Sequence, residues 1–134
     1  MLQHPMFKAD LPLVGVITVI VIALPSATLA ADPAQEAAIG AVHAGLAAQA
    51  ATIEQVHTHL HHTVNCLVGP KGQGFDANEA NPCQKLGDGA IPDTADSATK
   101  AKLIAAFAKA QAGLQSDELT MAKKAAAEAQ AALK

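Results

Sequence analysis

The sequence predicts an all-α protein, an antiparallel four-helix bundle made of two helical hairpins that a long disulfide-tied loop joins. Alanine, the residue with the highest helix propensity, is abundant, whereas the aromatic residues that sheets favour are scarce, with three Phe and no Trp or Tyr. Apolar residues recur at helical spacing in separate segments, between which Gly, Pro, Asn and Asp are concentrated. We therefore expect helices that pack closely through small residues.

The first thirty residues have the pattern of a secretory signal peptide. A short start with Lys8 precedes an apolar run over 11–24, and Thr28 and Ala30 supply the small residues that signal peptidase requires. We predict cleavage after Ala30, which leaves a single helical domain over 31–134, periplasmic or secreted, with no stable membrane insertion. An uncleaved membrane anchor is the alternative, because the apolar segment approaches the ~20 residues that a span needs.

The first predicted hairpin consists of helices over about 33–48 and 53–67. Asp32 and Thr52 begin capping motifs at the starts of these helices, and Gly69 with the following proline ends the second. Three apolar residues of the first helix recur at helical spacing: Ile39, Val42 and Leu46. The second helix carries a narrow apolar stripe typical of a bundle: Ile53, Val56, Leu60, Val64 and Leu67.

A loop over 68–96, rich in Gly, Pro, Asn and Asp, separates this hairpin from a second one. Loops of this length tend to be functional or disordered. The second hairpin is predicted as helices over about 97–113 and 117–133, with Gly113 ending the first and Ser116 opening the second. The inward residues of its first helix are predicted to be Leu103, Ile104 and Phe107.

A weak internal repeat relates the two hairpins. The tripeptide Ala-Gly-Leu occurs at 44–46 and again at 112–114, and in both places it precedes a short connection and a helix. The repeat favours two similar hairpins packed into one bundle.

Four of the chain's six histidines lie within residues 57–62, which suggests a metal site or a proton-sensing surface. At about 100° per residue, the polar residues of this helix divide into two stripes that flank the apolar one. The first stripe is Glu54, His57 and His61, and the second is His59, His62 and Cys66. Because His57 borders the apolar stripe and faces a neighbouring helix, we predict that the first stripe holds the metal, with His43 approaching from the first helix.

A carboxylate and several imidazoles suit a transition metal rather than Ca or Mg. Copper is favoured by the general affinity order among equally available divalent ions, and zinc and nickel are alternatives. The net charge of −3 does not favour nucleic acid as a partner. Since Cys66 has an available disulfide partner and no evident orienting acid, a thiol nucleophile is not indicated, and we predict a binding protein rather than an enzyme.

The two cysteines, Cys66 and Cys83, are predicted to form a disulfide if the chain is exported, because exported chains meet an oxidising compartment. Such a bond pins the long loop to the end of the second helix. The alternative keeps Cys66 reduced, as a soft ligand beside His59 and His62 that would favour Cu(I).

The export signal, the Ala-rich hairpins and the clustered histidines resemble small His-rich periplasmic metal-binding proteins that form four-helix bundles and take up copper and related ions. The resemblance implies buffering of copper or another divalent metal. It extends to the five histidines of the mature chain: His43, His57, His59, His61 and His62. The absence of histidine from the last two predicted helices departs from that pattern.

Two other functions are compatible with the sequence. The loop over 68–96 would be the contact surface of a secreted interaction or adaptor module, in which Phe75 is a contact residue. Alternatively, the histidines form a pH-responsive surface, because unperturbed imidazole titrates near a pH of about 6.5.

Overall fold

The computed structural model describes residues 30–134, so the predicted signal peptide lies outside the described residues except for Ala30. Within this range the regular secondary structure consists of five helices and no strand, which confirms the all-α prediction. The helices are α1 (Pro33–Gln49), α2 (Ile53–Val68), α3 (Ala90–Asp93), α4 (Ser97–Leu114) and α5 (Leu119–Ala132). None of the described helices combines the length and apolar character that crossing a membrane requires.

Side-chain caps set the starts of the four long helices. Asp32, Thr52 and Asp96 each accept a hydrogen bond from the backbone N–H three residues further on, as predicted for the first two. The start of α5 differs from the prediction, because Glu118 rather than Ser116 is the cap. The Glu118 carboxylate accepts two backbone N–H groups of the first turn of α5.

The long helices pack in pairs around a common core. α1 contacts α2 and α5, and α4 contacts α5 and α2. The connections over 50–52 and 115–118 are short, so α1 and α2 are antiparallel neighbours, as are α4 and α5. α2 supplies most of the large buried apolar residues and α4 adds Leu103, as predicted, while α1, α4 and α5 pack alanines against them. These alanines are Ala44, Ala47, Ala106, Ala110, Ala122, Ala126 and Ala129. The prediction of close packing through small residues is confirmed.

Some large apolar residues are not in this core. Ile104, which was predicted to face inward, is 49% exposed, so that prediction is wrong. Val42 and Leu46 are 60% and 43% exposed, although their spacing is helical. Apart from Glu36, the buried residues of α1 are Ala and Gly, which pack against α2 and α5.

Gly113 does not end its helix, contrary to the prediction. α4 continues to Leu114, and Gly113 is buried within it. A Cβ atom at this position would lie 2.6 Å from Cδ1 of Leu60, so glycine permits a close approach of α4 to α2. Gly45 in α1 is buried as well, and a Cβ there would meet the end of the Gln130 side chain. The repeated Ala-Gly-Leu therefore places a glycine at a close contact in each hairpin.

The segment that joins the hairpins is attached to α2 by a disulfide. Cys66 and Cys83 are bonded with an S–S distance of 2.01 Å, which confirms the predicted pair and removes Cys66 as a thiol ligand. Closing a loop of this size contributes about 3 kcal/mol in the chain-entropy model. A disulfide is typical of an oxidising, exported environment. The predicted loop also contains one turn of helix, α3.

Buried hydrogen bonds from Asn65 of α2 attach the same segment. The Asn65 side chain donates to the carbonyl oxygens of Asp76 (2.9 Å) and Ala80 (3.1 Å), and its Oδ1 accepts from Asp76 N–H (2.9 Å). Since Asn65 is fully buried, these bonds take the place of the hydrogen bonds that its amide group makes with water in the unfolded chain. They fix the backbone over 76–80 against α2.

A buried carboxyl group connects α1 to the part of the segment that precedes α3. Glu36 is fully buried, and its Oε1 accepts from Gly89 N–H at 3.2 Å. Its Oε2 has no hydrogen-bond partner within residues 30–134. Burial, followed by the nearby charge of Asp93, raises the pKa of Glu36 to about 7.

Candidate metal centre

Three histidines come together where α1 packs against α2. His43 extends from α1, and His59 and His62 lie one turn apart on α2. Nδ1 of His43 is 3.4 Å from Nδ1 of His59, and the ring centroids of the three residues are 4.9 to 5.8 Å apart. One ring nitrogen of each lies within 4.8 Å of the other two. We refer to these residues as the histidine triad.

The spacing of these nitrogens suits a metal ion. A tetrahedral ion that binds imidazole nitrogens at about 2.0–2.1 Å holds any two of them about 3.3–3.4 Å apart. The 3.4 Å between the Nδ1 atoms of His43 and His59 already has this value. All three ligand atoms are within 4.8 Å of one another, so the triad could hold a metal ion.

The surroundings of two triad residues, His43 and His62, favour their neutral forms. Burial, followed by the nearby His62 and His59, lowers the pKa of His43 below its ordinary value. Burial also lowers the pKa of His62, although the Glu79 carboxylate opposes this change. Because a metal binds imidazole only in its neutral form, both shifts reduce the competition from protons.

His62 has one ring nitrogen beside an acid and the other without a partner. Its Nε2 lies 3.6 Å from Oε2 of Glu79. Its Nδ1 is buried and has no hydrogen-bond partner in the described part of the chain. Metal-bound histidines commonly have a carboxylate beside the nitrogen that does not bind the ion, which is the relation of Glu79 to His62. Glu79 was not identified from the sequence as a residue of the site. Its position between Cys66 and Cys83, which the disulfide holds close to α2, was the available signal.

The triad borders a cavity of about 730 Å³ between the helices and the loop. His43 and His62 line one side, and Phe75, Glu79 and Pro82 are among the loop residues that line the rest. Since the cavity is open to solvent, a metal ion or a fourth ligand would have access to the triad from the loop side.

The first predicted stripe makes other contacts. His57 Nε2 is 3.0 Å from the carbonyl oxygen of Ser116, in the connection between α4 and α5. His61 Nδ1 is 3.6 Å from Oδ2 of Asp76, and Glu54 is exposed at the start of α2. Among residues 30–134, the triad is the group of potential metal ligands that the structure brings close together. His57, His61 and Glu54 do not belong to it.

His43 therefore lies beside the second stripe of α2, not beside His57 as the sequence predicted. The reason is the side on which α1 crosses α2. The Thr63 hydroxyl donates to the carbonyl oxygen of Gly40 at 3.1 Å, which places α1 next to His59 and His62, while His57 faces α4 and α5.

Comparison of this chain with protein-family models, curated proteins and solved structures finds no match. The geometry of the triad and its surroundings is therefore the basis for assigning a function.

Proposed function

We propose that this protein is an exported metal-binding protein that holds a transition metal ion at His43, His59 and His62, for buffering, storage or delivery. The observation that carries the proposal is the convergence of three imidazoles from two helices within 4.8 Å. The signal-peptide pattern and the disulfide support export. We regard the four long helices as the antiparallel four-helix bundle that carries the site.

In this proposal Glu79 positions one of the ligands. Its carboxylate lies 3.6 Å from His62 Nε2 and so favours a proton on that nitrogen, which leaves the lone pair of His62 Nδ1 for the metal. The Nδ1 atoms of His43 and His59 already face each other, so the proposed donor set is three Nδ1 nitrogens. The cavity leaves a further position of the metal for water or for a ligand from a partner that receives the ion.

Copper remains the preferred ion, because it binds nitrogen sites most tightly among the first-row divalent metals. Zinc is the first alternative, since the 3.4 Å spacing between two of the nitrogens suits its tetrahedral geometry. Nickel is the second alternative. We propose binding rather than catalysis, as a role in uptake and release requires only an accessible site with neutral imidazoles.

The interaction-module alternative depends on the loop as a contact surface. Phe75, its suggested contact residue, is partly buried and packs against the protein's own core. A side chain used in this way contributes to folding, so the structure favours the metal-binding function over the alternative.

The test is a calorimetric titration of the purified protein with Cu(II), Zn(II) and Ni(II), repeated with a His43→Ala variant. We expect one ion per chain, with the affinity for copper highest, and at least a tenfold loss in the variant. A His57→Ala variant is the matched control, since His57 is also partly buried but lies outside the triad. The absence of binding, or an equal loss in both variants, would overturn the proposal.

A further inference from the structure

A second pocket lies where the disulfide-tied segment meets α4, and it shares no lining residue with the cavity beside the triad. Its volume is about 450 Å³, within the range of about 300–1,000 Å³ that is typical of small-molecule sites. Four large apolar residues are among those that line it: Val68, Ile91, Ile104 and Phe107. Its composition, mainly apolar with a few charged groups, is that of a ligand site rather than of a solvated surface.

One wall of the pocket is fixed by a close crossing of two backbone segments. Gly69 and Gly89 have positive φ values of 65° and 117°, a conformation that glycine adopts without strain. A Cβ atom at Gly69 would collide with the backbone of Asp88, and one at Gly89 would collide with the backbone of Val68. Backbone packing therefore contributes to the shape of the pocket.

The exposure of Ile104 is otherwise unexplained. This large side chain is 49% exposed on α4 and lines the pocket together with the partly buried Phe107. An apolar molecule in the pocket would remove Ile104 from water, and burial of an aliphatic side chain is favourable. The apolar wall thus supplies a driving force for an apolar ligand.

The charges on the pocket favour an anion. Lys71 and Lys100 both line it, and the acid that lines it is Asp88. Lys71 pairs with Asp88 at 3.2 Å. Lys100 is partly buried and forms no ion pair within the described range, so one positive charge is left without a partner. The chain as a whole has a net charge of −3, so this positive site is local.

We propose that the pocket binds a small amphiphilic anion, a molecule with an apolar chain and a terminal carboxylate. The chain lies against Ile104 and Phe107, and the carboxylate pairs with Lys100. This site is independent of the metal centre, because none of the triad residues lines it.

The experiment is a calorimetric titration with decanoate and with the uncharged decan-1-ol, below the concentration at which decanoate forms micelles. We expect saturable binding of one decanoate per chain, with decanol about two- to fivefold weaker, the effect of one partly exposed ion pair. Lys100→Met keeps the apolar stem and removes the charge, so it should weaken decanoate to the level of decanol. Ile104→Ser should weaken both ligands.

Lys102→Met is the matched control, because Lys102 lies on α4 but does not line the pocket. It should bind both ligands as the unmodified protein does. The proposal is overturned if decanoate binding does not saturate, if decanoate and decanol bind equally, or if both lysine variants lose the same affinity. The helical content of each variant, measured by circular dichroism, should be unchanged, since all three substituted residues are at least partly exposed.

Discussion

Nδ1 of His43 lies 3.4 Å from Nδ1 of His59, across the interface between α1 and α2. A buried hydrogen bond one turn away, from the Thr63 hydroxyl to the Gly40 carbonyl oxygen, fixes the two helices at this separation. The disulfide at Cys66 then holds the loop that covers the same end of the interface. The proposed metal centre is thus supported by contacts that do not use the triad nitrogens, so we expect the fold to persist in the metal-free protein.

Replacing Glu36 should change how stability depends on pH. The pKa of Glu36 is raised from 4.5 to about 7 in the folded protein, so its protonated form stabilises the fold below pH 4.5 and this contribution is lost as the pH rises to about 7. The pKa difference corresponds to a free energy on the order of 3 kcal/mol. Glu36→Gln should therefore raise the unfolding free energy at pH 8 by about that amount and change it little at pH 4.

Urea denaturation of both proteins at pH 4, 6 and 8 measures this effect. Comparing the variant with the unmodified protein at each pH separates Glu36 from other titrating groups, such as His43, whose lowered pKa acts in the opposite direction. Asp117→Asn, at an exposed position, is the control and should show no such trend. Equal pH dependence in the Glu36 variant and the unmodified protein would contradict the assignment.

Removing the Asn65 side chain should loosen the loop beside the triad. Asn65→Ala deletes buried hydrogen bonds to the backbone at Asp76 and Ala80 and leaves those backbone groups without partners. We expect a loss of about 2–4 kcal/mol in unfolding free energy and faster amide hydrogen exchange over 76–80. Asn78→Ala, at an exposed position of the same loop, should have a much smaller effect. Similar losses in the two variants would show that Asn65 has no special role.

The two repeated glycines should respond differently to alanine. At Gly113 the added Cβ would lie 2.6 Å from the buried Leu60 side chain and 3.3 Å from the Ala122 carbonyl oxygen, so Gly113→Ala should destabilise the protein by about 1–3 kcal/mol. At Gly45 it would meet the end of the Gln130 side chain, which can move away. Gly45→Ala should therefore be neutral or stabilise by up to about 1 kcal/mol through helix propensity. Thermal unfolding of both variants checks the order, and a more stable Gly113 variant would be inconsistent with the packing described.

Local signals made most of the fold predictable. The caps at Asp32 and Thr52 and the turn residues after Val68 act within a few residues, so they place the helix ends without knowledge of the tertiary structure. The disulfide was predictable because the chain has two cysteines and its first thirty residues have the pattern of an export signal. The start of α5 was misplaced, because Ser116 and Glu118 both have side chains that can accept a hydrogen bond from the first turn of a helix. The helical turn α3 was missed, because its Pro92 is also typical of a non-helical turn.

The composition of the site depended on contacts between helices, which the spacing along α2 does not determine. Helical periodicity separated His57 and His61 from His59 and His62, but either stripe was able to face α1. The Ala- and Gly-rich inner face of α1, and not its exposed Val42, decides the side on which α2 packs. Glu79 reaches His62 only because the loop folds back onto α2.

The most direct test compares two double variants of α2 by metal titration: His59→Ala/His62→Ala, which removes two triad ligands, and His57→Ala/His61→Ala, which leaves the triad intact. With copper and zinc titrated separately, the account predicts at least a hundredfold loss of affinity in the first variant and less than a threefold change in the second. The reverse order, or equal losses in the two variants, would contradict the proposed metal centre.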